Sequence, residues 1–257
     1  MKRIGKQTVL FDKPPKILAN AAVVGPMESE GPLGKEFDLC FNDSLLGEDS
    51  WEKAESKLQK SAVQTLLNKS KIKKEDIDFI FAGDLLNQCI ASSFGISELK
   101  IPFVGLYGAC STMALSLINA SIYVESSAAK HTIAVTSSHF CSAERQYRFP
   151  LEYGGVRPPT SQWTVTGSGA VLVGNGENNP LISAFTVGKI NDYGIKDANN
   201  MGAAMAPDDV KIRPYPLGYG VRDLDLFSVV ISALAVKNAR NAVKHFSAFC
   251  LAKTKIT

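Results

Sequence analysis

A cysteine stands at a tight strand-to-helix turn in Tyr107-Gly108-Ala109-Cys110-Ser111-Thr112-Met113. An apolar run ends there, two small residues permit a sharp turn, and a helix is expected to start at Ser111. The first turn of that helix would offer unbonded N–H groups and the positive end of its dipole to the sulfur. A thiol so placed is suited to ionise and act as a nucleophile. The same position also suits a small packing residue, because reduced cysteines are common in cores.

Other polar residues gather at expected strand ends. His139 follows the run His131–Ser137 (HTIAVTS), where α/β proteins place ligands. It reads either as a donor or cation beside a carboxylate or as an ordinary loop histidine. Arg145 and Arg148 lie in the polar stretch 138–162, and two guanidinium groups would suit a planar dicarboxylate. Glu144 is an equally good local partner for either. Asp84 and Asn87 follow another strand end at Gly83, where Asp84 faces a pocket or caps the helix expected from Asn87. The pair Gly167 and Gly169 is expected to let its strand pass close to a helix, since no phosphate-loop pattern follows it. The five cysteines, at 40, 89, 110, 141 and 250, have no metal-ligand or CxxC spacing, so neither a metal nor a cofactor is expected.

The elements that must position these residues can be read from periodicity. Trp51, Ala54, Leu58, Ala62 and Leu66 recur at helical spacing, with Lys and Gln on other faces and Asp49 as the expected N-cap. Short strands are expected at 7–11 and 19–24. The runs Ile77–Gly83, Ile101–Tyr107 and His131–Ser137 are nearly all apolar and alternate with helices at 87–99 and 111–129. Such runs indicate a parallel sheet covered on both faces. The strands Thr164–Gly174 and Leu181–Ile190, joined by Gly174–Pro180, are expected to form an antiparallel hairpin at one edge.

Composition narrows the class. With 45% hydrophobic and 21% charged residues, the chain can bury a core. A net charge of +3 does not call for nucleic acid. From Lys211 onward eight Lys or Arg face two Asp, +6, which leaves −3 for the first 210 residues. The start, Met1-Lys2-Arg3-Ile4-Gly5-Lys6, lacks the apolar stretch of an export signal, so a cytosolic setting is expected.

The order strand, Gly108-Ala109-Cys110-Ser111, helix resembles the nucleophile turn of thiolases and ketoacyl synthases. Val165–Val173 (VTGSGAVLV) resembles their glycine-rich strand. Closer likeness, to the stage V sporulation protein AD family within the thiolase-fold superfamily, is carried by several further stretches. These are Gly5-Lys6-Gln7-Thr8, Asp84-Leu85-Leu86-Asn87-Gln88, Thr136-Ser137-Ser138-His139 and Ala143-Glu144-Arg145-Gln146. Glu152-Tyr153-Gly154-Gly155 and Met201–Pro207 (MGAAMAP) complete the set, in order over residues 1–209. The resemblance implies an α/β, thiolase-like half with a mixed, mainly parallel sheet covered by helices, and a homodimer formed through it. It also implies a non-catalytic protein that binds dipicolinic acid, works with other stage V sporulation A proteins, and acts in the forespore cytoplasm or peripherally at the spore inner membrane. Cys110, His139, Arg145, Arg148, Asp84 and Asn87 are the implied ligand-binding set.

Thiolase chemistry also needs a histidine from a second half, and no GHP- or GNH-type motif is present, so Cys110 is expected to lack its general base. Two alternatives stand beside the binding role: a thiolase-like acyltransferase using Cys110, and a truncated fragment without independent function. Residues 210–257 read as a divergent basic tail with a helix at 227–246. Its apolar side, with Phe227, Ile231 and Phe246, and its basic Lys237, Arg240 and Lys244 suit either an anionic membrane surface or a packed core. The helix from Ser111 carries apolar residues around much of its circumference and is expected to need cover on several sides.

Overall fold

In a computed structural model, the structure describes residues 1–147, 164–188 and 236–237. The strands are β1 (Lys2–Ile4), β2 (Thr8–Leu10), β3 (Lys16–Val24), β4 (Leu39–Cys40), β5 (Phe79–Gly83) and β6 (Phe103–Gly105). They continue with β7 (His131–Ser138), β8 (Gly167–Gly174), β9 (Leu181–Ile182), β10 (Ala184–Thr186) and β11 (Val236–Lys237). The helices are α1 (Pro26–Ser29), α2 (Trp51–Ser70), α3 (Ile90–Ser97), α4 (Thr112–Glu125) and α5 (Phe140–Tyr147).

The main sheet runs β11-β9-β3-β8-β7-β5-β6, with β4 beside β3, and a small sheet joins β1, β2 and β10. Strands β5, β6 and β7 are mutually parallel, whereas β8 is antiparallel to both β7 and β3. The strand β8, expected in an edge hairpin, is therefore central. Nor do β8 and β9 form the expected hairpin. Both pair antiparallel with β3, so they run in the same direction, one on each side of it. Residue 183 breaks the run expected over 181–190, and β10 turns away to pair with β2. A continuous apolar pattern marks a buried strand but not its neighbour, and β3 is the longest partner on offer.

Alternation sets the two core layers. Ile80, Ala82, Ile133, Val135, Ala170 and Leu172 face α2, where Ala54, Leu58, Ala62, Val63 and Leu66 are all fully buried. Phe81, Ala134, Val171 and Val173 face the other way, onto Met113, Leu117, Ala120 and Val124 of α4. Each large aliphatic side chain so buried contributes about 1.5–3 kcal/mol. The N-cap of α2 is Ser50, whose side chain accepts from the Lys53 N–H at 3.3 Å. The expected cap, Asp49, instead pairs with Lys53 at 2.8 Å.

The loop expected over 138–162 is not one at its start, where Ser138 closes β7 and α5 follows from Phe140, and the helix expected over 87–99 is interrupted. Gln88 and Cys89 have positive φ, of 60° and 51°, so regular helix starts only at Ile90. No large apolar side chain of α4 is exposed. Exposed ones gather instead at Ile90 and Phe94 of α3, at Phe103 of the edge strand β6, and at Tyr107. Most of the segment 227–246 lies outside the described residues. Within it, Val236 and Lys237 pair antiparallel with Ile182 and Leu181 as a strand, not a helix.

Candidate functional site

Parallel β5, β6 and β7 end on one edge of the sheet, and the register fixes what lies there. Ala82 pairs with Gly105, and Gly83 with Thr136. Continued by one residue, the register places Leu106 in the row of Gly83 and Thr136, and Asp84 beside Ser137 in the next. Gly83 is required at this point. A Cβ there would lie 2.0 Å from the Leu106 carbonyl oxygen and 2.4 Å from Thr112 Cγ2. Gly167 likewise admits a close neighbour, but the neighbour is the Val23 carbonyl of β3, 3.0 Å from an added Cβ, and not a helix.

Cys110 sits in a 3-10 turn, Ala109–Ser111, that runs directly into α4. Ala109 has φ 46°, a conformation costly for a residue with a Cβ. Side chains lock the turn. Ser111 Oγ donates to the Gly108 carbonyl at 2.6 Å, while Thr112 Oγ1 accepts from the Gly108 N–H at 3.1 Å and donates to Ala109 at 2.7 Å. Cys110 is exposed at the start of the helix, as the spacing predicts. Beside it, burial pushes up the Tyr107 phenol, and the Asp84 charge and the thiols of Cys89 and Cys110 add to the shift. The Cys89 thiol is also raised, by burial first and then by Asp84. Its sulfur lies 3.4 Å from the Leu106 carbonyl. Asp84, Cys89, Tyr107 and Cys110 thus share one edge.

Asp84 is buried, and its contacts are internal. Oδ1 accepts from the Leu86 N–H at 2.8 Å. Oδ2 accepts from the Ser92 N–H at 2.8 Å and from its hydroxyl at 2.5 Å. It therefore satisfies a donor in the first turn of α3, further along the chain than the helix start expected at Asn87. Asn87 is exposed at the rim.

His139 is fully buried and its two ring nitrogens face protein groups. Nδ1 accepts from the Cys141 N–H at 3.2 Å, so the proton belongs on Nε2, which donates to the Ser44 carbonyl at 2.8 Å. Burial holds its pKa below the ordinary histidine value against the opposing Ser44 contact. These contacts suit a neutral ring that ties the β7–α5 junction to the loop at 44. Arg145 lies on α5, and Arg148 lies outside the described residues.

Beneath this edge runs a buried network that the sequence reading did not pick out. Gln59 Nε2 lies 3.0 Å from the Gly83 carbonyl, 2.8 Å from Ser92 Oγ and 2.9 Å from Ser137 Oγ. Ser92 Oγ donates to Asp84 Oδ2 at 2.5 Å, and Ser137 donates to Glu55 Oε1 at 2.9 Å. Ser142 of α5 donates to Glu55 Oε2 at 2.7 Å. Burial pushes the Glu55 pKa up to about 7. The Ser142 bond opposes, Asp84's charge adds, and the Ser137 bond opposes. The signal was present in the sequence, since Glu55 and Gln59, four residues apart, fall on the same face as Leu58, Ala62 and Leu66.

A groove of about 740 Å³ between α2 and α3 carries lysines, but these are already paired. Lys57 lies 3.0 Å from Glu48, and Lys60 bridges Glu98. Among the described residues no group of His, Cys, Asp and Glu could hold a metal ion. No helix of the described residues is long and apolar enough to cross a membrane.

A mixed sheet with most strands in one direction and helices on both faces, with a cysteine at a strand-to-helix turn, makes this an α/β protein. Among solved structures, 3-oxoacyl-[acyl-carrier-protein] synthase III from Aquifex aeolicus is 15% identical, with a TM-score of 0.45 over 65% of this chain and 55% of that one. Xanthomonas campestris OleA H285N with cerulenin is 14% identical, with a TM-score of 0.47 over 67% of this chain and 61% of that one. The chain spans between half and two thirds of the length of these structures.

Sequence likeness is far stronger. The family described as stage V sporulation protein AD matches residues 5–225, past the boundary expected at 209. Stage V sporulation protein AD of Bacillus subtilis (strain 168) is 43% identical over 229 residues, 88% of this chain and 68% of that protein. The chain belongs to the stage V sporulation protein AD family.

Proposed function

We propose that this protein binds dipicolinic acid and takes part in its uptake into the developing endospore, without catalysing a reaction. The observation that carries the reading is the 43% identity to stage V sporulation protein AD across 88% of the chain. The sequence has three histidines, His131, His139 and His245. His139 is held at both nitrogens, and His131 opens β7 at the end opposite the cysteine edge, with Nδ1 3.1 Å from the Asp76 carbonyl. Neither offers a general base to Cys110.

In this reading the ligand lies at the edge where Cys110, Asp84 and Asn87 meet the start of α5. Arg145 and Arg148 supply bidentate contacts to its carboxylates. The protein acts in the forespore cytoplasm or peripherally at the spore inner membrane, alongside other stage V sporulation A proteins. It dimerises through this half, and the exposed Ile90, Phe94, Phe103 and Tyr107 supply an apolar surface for the contact. The test is calorimetric titration of the full chain with dipicolinate. Saturable binding that is lost in Arg145→Ala or Arg148→Ala supports the reading, and a flat isotherm from a cooperatively melting preparation overturns it.

The exposed position of Cys110 at the start of α4 favours one second reading, acyl transfer through its thiol. Incubation with acyl-coenzyme A followed by mass spectrometry separates the two. An adduct on Cys110 that disappears in Cys110→Ala would establish transfer.

A further inference from the structure

We propose that Glu55 is a proton-responsive anchor for α5: the protonated carboxyl holds the helix against α2, and loss of the proton loosens it. The geometry behind this is a single hydrogen-bonded chain with a carboxyl at each end. It runs from Asp84 through Ser92, Gln59 and Ser137 to Glu55, and Ser142 joins Glu55 from α5. Glu55, Gln59 and Ser92 are fully buried, and Asp84 and Ser142 nearly so.

Two buried carboxylates on one chain repel each other, and the low-dielectric surroundings give each little solvation. The titratable groups on the elements packed around Glu55 are Asp84 at the end of β5, and His139 and Cys141 where β7 passes into α5. Glu144 and Arg145 follow further along α5. Of these, Asp84 contributes charge to Glu55, while His139 is held neutral by its own contacts. The hydrogen bonds that Glu55 receives come from hydroxyls, which stabilise a buried charge less than a cation would.

Relief of that charge is asymmetric. Three of the four polar residues around Glu55 and Gln59 belong to the core: Asp84 directly after β5, Ser92 on α3 and Ser137 on β7. Only Ser142 belongs to α5, a short helix of eight residues. Moving α5 admits water to Glu55 without disturbing the sheet. Burial supports the same direction, with the Glu55 pKa pushed up to about 7 from the ordinary 4.5. Opening of α5 should then become easier by up to about tenfold between roughly pH 6 and roughly pH 8.

The test is hydrogen exchange of the full chain, read by mass spectrometry on peptides over 138–147 and corrected for the intrinsic base-catalysed rate. Protection of α5 should fall by up to about tenfold over that range, while peptides from α2 and β5 change little. Glu55→Gln should remove the pH dependence. Ser142→Ala removes a bond that favours the charged carboxyl, so in that variant the pH slope of α5 exchange should be at least as steep as in the wild type. Unchanged protection in the wild-type chain, or an undiminished pH slope in Glu55→Gln, overturns the proposal.

A link to ligand binding rests on the proposed function and has a separate readout. If α5 carries a ligand contact, dipicolinate affinity should fall in parallel with α5 protection. Absence of dipicolinate binding at every pH would refute the ligand reading and leave the exchange result to decide the anchor.

Discussion

Replacing Glu55 by Gln should change how the stability of the whole chain depends on pH. The carboxyl is buried, and its pKa in the folded state is about 7 against an ordinary 4.5. Below the ordinary value both folded and unfolded chains carry the proton, and the folded state bears no charge penalty. As pH rises from 4.5 toward 7, the unfolded chain gives up its proton while the folded chain keeps it, so stability falls. The loss levels off above the folded value. Its size, at about 1.4 kcal/mol per pKa unit, is about 3 kcal/mol. Glutamine has the same shape and no charge, and its carbonyl can accept from one serine while its amide meets the other. The variant should therefore match the wild type near the acid end and overtake it by about 1–3 kcal/mol at mildly alkaline pH, after allowing for the lost charge-assisted bonds. Urea unfolding of both proteins at a series of pH values measures the difference, in which the contributions of other titrating groups cancel. A difference that does not vary with pH would refute the reasoning, because it would show that Glu55 titrates alike in both states.

Gly83→Ala should destabilise the chain by about 1–3 kcal/mol or prevent folding, since its Cβ meets a backbone oxygen at 2.0 Å; thermal melting reads this directly. Ser50→Ala removes the cap of α2 and should cost about 1 kcal/mol, whereas Asp49→Ala should cost less than half of that. The lowered pKa of His139 contributes stability that is present above the ordinary value of 6.5 and lost as pH falls below it, so His139→Ala should flatten the acid side of the stability profile. An acid limb that keeps its slope in this variant would assign the effect to another group.

The α/β class and the positions of five main strands and three main helices were legible because burial on both faces leaves nearly unbroken apolar runs. The Cys110 turn was legible for a local reason. Small residues at 108 and 109 between an apolar strand and an amphipathic helix permit few conformations. Pairing was not legible. The run 167–174 looks the same whether its neighbours are parallel or antiparallel, and only the assembled sheet inserts it between β3 and β7. Helix capping was off by one residue, because Asp49 and Ser50 are both good caps and the choice depends on how the chain enters α2.

The candidate site divides along the same line. Sequence alone placed Asp84, Asn87, Cys110 and His139 after strand ends, and parallel strands necessarily bring such positions to one edge. What each side chain does there was decided by tertiary structure. His139 turns inward because Ser44, 95 residues away in sequence, supplies an acceptor for its N–H. Asp84 turns inward because Ser92 folds back onto it. Glu55 and Gln59 lie on the apolar face of α2, and they are accommodated there because three separate segments close over them with serines. A polar residue on an apolar stripe is tolerated only when distant donors and acceptors arrive together, and a linear sequence does not state which segments will meet.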